Sequence, residues 1–388
     1  MDLAATKSAI VNLVAARQED LTAIAAELYR NPETGLQEHR AAALLSGFLE
    51  GEGFALERGV AGLATAFRAE WGEGRPTVAL LAEMDALPGM GHACGHNVIA
   101  AAVVGAALAL RRTLPPEVGR VVLLGTPAEE LGLGKVALLE AGCFRDVDFA
   151  LMVHPSSKRQ VIKMYLGLAK VRFTFFGKPA HAGAYPEEGI NALDAVLQTF
   201  TALNSLRQQL RQDVRVHGII TEGGIAPNII PERASCYFYV RADDLAEVTR
   251  VRERLVACAE GAALATGCRL QVEEEGRVLA PFRINRTFSA LYSAQLAYLG
   301  LPEAGLPPDR NKGSSDIGNV SQAVPTIHPH VPIGDGIHIH SAAFAEATVS
   351  PQGRAAVVEG ATALALTAAE LLASTDWQER IRSEFSTS

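Results

Sequence analysis

The sequence predicts an α/β protein in two parts: a larger domain on a mostly parallel, mixed sheet flanked by helices, and a smaller α+β domain inserted into it. Two rhythms in the chain point that way. Up to about residue 166, short β-rich apolar runs alternate with stretches of helical spacing, the pattern of a layered α/β structure. From about 167 to 280 the order becomes strand, helix, strand, strand, helix, strand, the split βαβ plan of a small independent unit. Length agrees, because 388 residues exceed what one hydrophobic core ordinarily serves.

Taken in order, Leu3 to Leu28 has helical apolar spacing, and Asn31-Pro32-Glu33 interrupts it before a second helix from about Glu38 to Gly51. Strands are expected at Leu63 to Phe67, Thr77 to Ala82, Val121 to Leu124 and Phe149 to Val153, with a long alanine-rich helix between the second and third. In the inserted domain the expected strands are Ala169 to Phe176, Arg215 to Thr221, Ala234 to Arg241 and Arg269 to Glu273, and the helices Asn191 to Leu210 and Leu245 to Thr266. A helix from Arg286 to Tyr298, a Gly- and His-rich loop region and a closing helix from Pro351 to Ala373 return the chain to the first domain. The expected division is therefore 1–166 with 281–388, and 167–280.

Composition removes several function classes. The formal net charge of −8, with no basic run, argues against nucleic acid, which needs a cationic surface to release counterions. The apolar run Ile99 to Leu110 is too short for a bilayer and ends at Arg111 and Arg112, so it reads as a buried helix with no membrane partner. Residues 1–17 lack a cationic start and an apolar middle, so no signal peptide is expected and a cytoplasmic location is. Five scattered cysteines form no disulfide framework and suit a reducing compartment.

Open α/β sheets bind ligands beyond the carboxyl ends of their strands, so the residues that follow the apolar runs carry the chemistry. Val78 to Ala82 ends in Glu83-Met84-Asp85, and Gly91-His92-Ala93-Cys94-Gly95-His96-Asn97 then precedes the long helix. Val121 to Leu124 ends in Gly125-Thr126-Pro127-Ala128-Glu129-Glu130, and Phe149 to Val153 ends in His154-Pro155. Thiol, imidazole and carboxylate delivered to one sheet edge suit a transition metal. A further ligand is expected from the loop Gly334-Asp335-Gly336-Ile337-His338-Ile339-His340-Ser341. Each residue also has a bland reading: Cys94 as a buried thiol, Glu129-Glu130 as a solvated step, His154 as a turn residue. Their shared placement after strands favours the metal reading over the separate ones.

Six ordered motifs carry a resemblance to a family: Met84-Asp85-Ala86-Leu87-Pro88, His92-Ala93-Cys94-Gly95-His96, Pro127-Ala128-Glu129-Glu130, Met152-Val153-His154-Pro155, Phe176-Gly177-Lys178-Pro179-Ala180-His181-Ala182-Gly183 and His340-Ser341-Ala342-Ala343-Phe344. The chain resembles the M20 metallopeptidases and amidohydrolases, in the M20D-like branch with Cys-Gly-His. That branch includes hippurate hydrolases, auxin-conjugate hydrolases, aminobenzoyl-glutamate hydrolases and aminoacylase-1-like 2 dipeptidases. The resemblance implies a catalytic domain and an inserted ferredoxin-like lid and dimerisation domain. It implies two divalent ions held by Cys94, His96, Glu130, His154 and His340, with zinc or manganese expected and cobalt or nickel as further options. Glu129 would be general base and acid, and Asp85 a carboxylate that orients an imidazole. His181, supplied in many relatives by the partner protomer, would stabilise the oxyanion, and Asn228 and Arg241 would meet the substrate.

Two positions depart from the pattern: Asn97 stands where Asp is common, and Glu83 where His or Asp is commoner. Without the resemblance, His181 could cap a turn, Asn228 after Pro227 is a natural turn residue, and Arg241 could be a strand-end charge. The function expected is hydrolysis of a small N-acyl amino acid, dipeptide or aminobenzoyl-glutamate-like amide by a homodimer or higher homo-oligomer. The rivals are cleavage of another carbon–nitrogen bond, such as deamination of an aryl amine, and a non-catalytic binding relative.

Overall fold

A computed structural model describes residues 2–305 and 312–387. The chain divides into two compact units, Met1–Met164 with Phe282–Ser388, and Tyr165–Pro281.

The first unit runs α1 Leu3–Ala16, α2 Gln18–Arg30, α3 His39–Gly51, β1 Ala55–Arg58, β2 Phe67–Gly72, β3 Thr77–Glu83, α4 His96–Thr113, β4 Arg120–Thr126, α5 Gly134–Glu140, β5 Phe149–Leu151 and β6 His154–Ser156. Its six-stranded sheet has the order β1-β2-β4-β3-β5, closed at the far edge by the short β11 (Thr326–Ile327) of the returning chain. β3 pairs parallel with both β4 and β5, and β11 parallel with β5, while β2 is antiparallel to β4 and β1 to β2. The sheet is therefore mixed and mostly parallel at its centre, as predicted. β3 reads as an unbroken apolar run because it is buried on both faces.

Several elements differ from the sequence expectation, and the short helices α5, α9 (Ile317–Ala323), α10 (Ala342–Ala347) and α12 (Thr375–Thr387) are not among those expected. The opening helix is two helices, broken at Arg17, whose ψ of 10° leaves the helical range. An unexpected strand, β1 Ala55–Arg58, comes first, and the strand expected at 63–67 begins only at Phe67 as β2, because a turn through Val60–Gly62 delays it. The fourth run is shorter than expected: β5 stops at Leu151, and a further strand, β6, begins at His154 and pairs in a separate parallel ribbon with β12 (His330–Pro332), putting His330 beside His154.

After the second unit the chain returns as α8 Arg286–Tyr298, α9 Ile317–Ala323, β11, β12, α10 Ala342–Ala347, α11 Pro351–Ala373 and α12 Thr375–Thr387. α4 is buried from His96 to Leu110. Gly105 makes that possible, since a Cβ there would lie 2.7 Å from Leu21 and 2.9 Å from Ala361, so α2 and α11 close on α4. By length and composition α11 could also cross a membrane, but it packs as a core helix, with Gly360 against Ala102 and Val153.

The second unit comprises β7 Gly167–Phe176, α6 Ala192–Leu206, β8 Arg215–Glu222, β9 Arg233–Ala242, α7 Leu245–Thr266 and β10 Arg269–Glu274. Its antiparallel sheet has the order β10-β7-β9-β8. Val171, Phe173, Phe175, Cys236, Phe238 and Val240 alternate onto one face and form a core with α6 and α7. The opposite face carries Lys170, Arg172, Tyr237, Tyr239 and Arg241, stacked as cations over rings.

Candidate metal and catalytic centre

Parallel strands start at one edge of a sheet and end at the other, so the turns after β3, β4 and β5 emerge together. Glu83 ends β3, and Asp85 follows. Cys94 and His96 sit at the N-terminus of α4, opened by Gly95 in the left-handed region at φ 86°, with no room for a side chain because a Cβ would lie 2.3 Å from Pro155. Glu129 and Glu130 follow β4 through Ala128, another left-handed residue at φ 57°. His154 opens β6.

These groups converge. Cys94, His96 and His154 present ligand atoms all within 4.8 Å of one another, and so do Cys94, His96, Glu129 and Glu130. Cys94 Sγ is 3.5 Å from His154 Nε2. His96 Nε2 lies 3.3 Å from Glu83 Oε2, 3.8 Å from Glu129 Oε2 and 3.9 Å from Glu130 Oε1. Donors about 2.0–2.3 Å from a tetrahedral ion stand about 3.3–3.8 Å apart, so these separations are those of a ligand shell.

The imidazoles are oriented for the task. His96 Nδ1 donates to the Asp85 carbonyl at 2.8 Å and faces Asp85 Oδ1 at 3.0 Å, which turns Nε2 into the cluster, where its lone pair becomes available once a metal displaces the proton. His154 Nδ1 donates to the Pro155 carbonyl at 2.8 Å, again freeing Nε2. Asp85 Oδ2 accepts from the Glu130 backbone N–H at 3.0 Å, so one buried carboxylate positions two ligand residues. Among the described residues, His96 Nε2 and Glu130 Oε1 are buried without a hydrogen-bond partner, a costly state for polar atoms that a cation would relieve. The residues present therefore fit a divalent transition metal.

Electrostatics agree. Burial pushes the Cys94 thiol well up. Burial opposes charge on His96, but Cys94, Asp85 and Glu83 outweigh it and hold the imidazole well above its ordinary value. Burial, reinforced by Glu83 and Asp316, drives the Glu129 carboxyl well up, whereas burial brings His154 down to about 4. A cation entering such a cluster displaces protons from its ligands, so metal affinity should rise with pH.

The remaining predicted positions divide. His340 stands in its loop at φ 62°, half exposed, with its backbone N–H on the Ala93 carbonyl and Nε2 3.9 Å from Glu130 Oε1; it lies beside the cluster, outside the two tight groups. Asn97 turns away, donating to the Ala25 carbonyl and the Thr348 hydroxyl, each at 3.1 Å, and so ties α2 and α10 to α4.

His181, Asn228 and Arg241 belong to the second unit. His181 and Asn228 are exposed, in loops that touch: the Ala182 N–H donates to the Asn228 carbonyl at 2.9 Å, and His181 pairs with Ile229. The first loop leaves β7 and the second enters β9, so both sit at the end of the sheet where Phe176 pairs with Arg233. Arg241 pairs with Leu168 at the other end, about 26 Å of extended strand away.

Sequence reasoning misses four residues that shape the centre. Glu83 stands out there only as a departure. Lys135 on α5 and Asp316 before α9 form a buried ion pair whose partner is Glu83, with Lys135 Nζ 2.5 Å from Asp316 Oδ1 and 2.6 Å from Glu83 Oε1. Glu38, fully buried, accepts from the Ala128 N–H at 2.7 Å and the Thr65 hydroxyl at 2.9 Å, which straps down the strained turn carrying Glu129. A lone lysine in an apolar helix is the available signal for Lys135; Asp316 and Glu38 look like helix-start residues and give none.

Comparisons with known proteins align with this geometry. Residues 166–266 match the peptidase dimerisation domain of the M20 group. The chain is 40% identical over 384 residues to the Xaa-Arg dipeptidase of Mus musculus, covering 95% of this chain and 89% of the relative. It is 34% identical over 316 residues to one of the chains that make up the p-aminobenzoyl-glutamate hydrolase of Escherichia coli K12, covering 76% of this chain and 65% of the relative. In fold it is similar to a dinuclear metal-binding M20 peptidase of Bacillus subtilis, with a TM-score of 0.70 at 22% identity, covering 92% of this chain and 99% of that one.

Proposed function

The chain belongs to the M20 family of metallopeptidases and amidohydrolases and is a hydrolase of amide bonds in small substrates, and from that premise we propose a two-metal dipeptidase whose water is activated beside Glu129. The convergence of Cys94, His96, His154, Glu129 and Glu130 at one sheet edge carries this reading. We assign Cys94, His96, Glu130, His154 and His340 as the residues that hold the ions, His340 by a shift of its exposed loop toward Glu130. Bound there, two divalent ions would supply an acidified water and a polarised scissile carbonyl.

The protein's own groups do the rest. Glu129, its side chain 11% exposed and close to the ligand set, accepts the proton of the attacking water and delivers it to the departing nitrogen, which leaves as an amine. Asp85 keeps His96 in the tautomer with Nε2 available. His181 donates to the developing oxyanion, and Asn228 and Arg241 bind the substrate's polar groups.

The separation of His181 and Asn228 from Arg241 along one sheet supports a homodimer in which the two ends serve different substrates. An available contact surface is β8, an edge strand whose Ile219 and Ile220 are 63% and 43% exposed, followed by Ile225 at 92%.

The likeness to the mouse Xaa-Arg dipeptidase puts dipeptides with C-terminal arginine first among substrates. The test is a panel of such dipeptides, N-acyl amino acids and p-aminobenzoyl-glutamate with manganese or zinc restored, scored by released amino acid. Free arginine from the dipeptides is expected; release of ammonia with no amino acid product would instead assign deamination.

A further inference from the structure

Glu83, Glu129 and Asp316 form a third group whose ligand atoms lie within 4.8 Å of one another, the kind of oxygen cluster in which a hard divalent ion is held. A cation is already there. The Lys135 ammonium, fully buried, sits 2.6 Å from Glu83 Oε1 and 2.5 Å from Asp316 Oδ1. Asp316 grips the lysine twice, since its Oδ2 also accepts from the Lys135 backbone N–H at 2.9 Å. The preceding Gly134 lies so close to the Pro127 carbonyl that a Cβ would stand 1.7 Å from the oxygen, which fastens α5 to the turn bearing Glu129. Glu83 is divided between two tasks, with Oε1 on the ammonium and Oε2 facing His96.

We propose that Lys135 is a built-in third cation, which claims Glu83 and Asp316 so that exchangeable metal is confined to the Cys94, His96, His154 and Glu130 side and Glu129 keeps an uncoordinated carboxylate. This rests on the metal-centre reading above. Lys135 is a positioning residue: it touches the carboxylates and not the substrate. Three carboxylates this close, two of them fully buried, with no lysine among them would hold a further divalent ion, and that ion would engage the base. A lysine neutralises the same charge, donates in fixed directions and cannot be exchanged or chelated, so the number of ions follows from the chain and not from the metal supply.

The experiment uses the full-length protein, stripped with chelator and titrated with Mn2+ alone, with bound metal counted after gel filtration. Wild type should take about two ions per chain and Lys135→Ala about three, and Mn2+ should raise the Tm of Lys135→Ala more than that of wild type. Because the metal-free variant leaves buried carboxylates unpaired, it is also refolded in Mn2+, and recovery of folded protein there is expected. Adding Asp316→Asn to Lys135→Ala should return the count to about two. Equal counts and equal Mn2+ affinities in wild type and Lys135→Ala overturn the inference while the metal centre stands, as does failure of Mn2+ to recover the variant. A wild type that binds no Mn2+ overturns both.

Discussion

The two units hold their functional residues in opposite ways. In the first, Cys94, His96, Asp85 and His154 are buried, and each imidazole is fixed by a bond through its remote nitrogen. In the second, His181 and Asn228 are exposed on loops, where His181 Nδ1 accepts a local contact from the Gly183 N–H at 3.2 Å. A buried site can bind cations and set proton affinities by itself; an exposed loop acts only when something is brought to it. In the proposed mechanism, the difference separates residues that prepare the reaction from residues that complete it.

The strongest way to test that separation is Glu129→Gln, which should lower kcat by about 10²–10⁴-fold with the ion count unchanged; near-normal turnover would take the base role from Glu129. His181→Ala should cost about 10²–10³-fold in kcat while leaving metal content and Tm as they are, and any loss of metal would place His181 with the buried set. Asp85→Ala should weaken metal affinity about 10–100-fold, read by chelator competition, because His96 and the Glu130 N–H lose a common anchor; unchanged affinity would mean that Asp85 prepares nothing.

The smallest effect lies far from both sites, at Glu370 on α11, which accepts from Lys7, Gln295 and Trp377 and so links four helices. Burial opposes its ionisation, but those partners outweigh it and hold the carboxyl below the usual range. A lowered folded pKa gives stability that is present above the unfolded value and lost as pH falls through the folded one. Acid melting curves of Glu370→Gln should therefore lose less Tm than wild type between pH 7 and pH 3, and parallel curves would show no contribution.

What could be read in the sequence was whatever local order reports. Apolar runs ending in polar motifs located Glu129, Glu130, Cys94, His96 and His154, because a buried parallel strand shows itself by its continuous apolar character and its end by the change. The alternation in β7 and β9 likewise showed which face of the smaller sheet is core. Contacts between distant residues left no such mark: Lys135 meets Asp316 across 181 positions, and Glu38 meets Ala128 across 90. The break at Arg17 was hidden for another reason, since apolar residues at helical spacing continue on both sides of it.

The placement of His181 and Asn228 at one end of the smaller sheet and of Arg241 at the other has a consequence for inheritance. In the proposed dimer, a copy damaged at one end of that sheet and a copy damaged at the other could combine into a pair with one intact reaction chamber. Two inactive alleles would then produce activity in the same cell that neither produces alone, and the heritable unit of function would be the pair of chains.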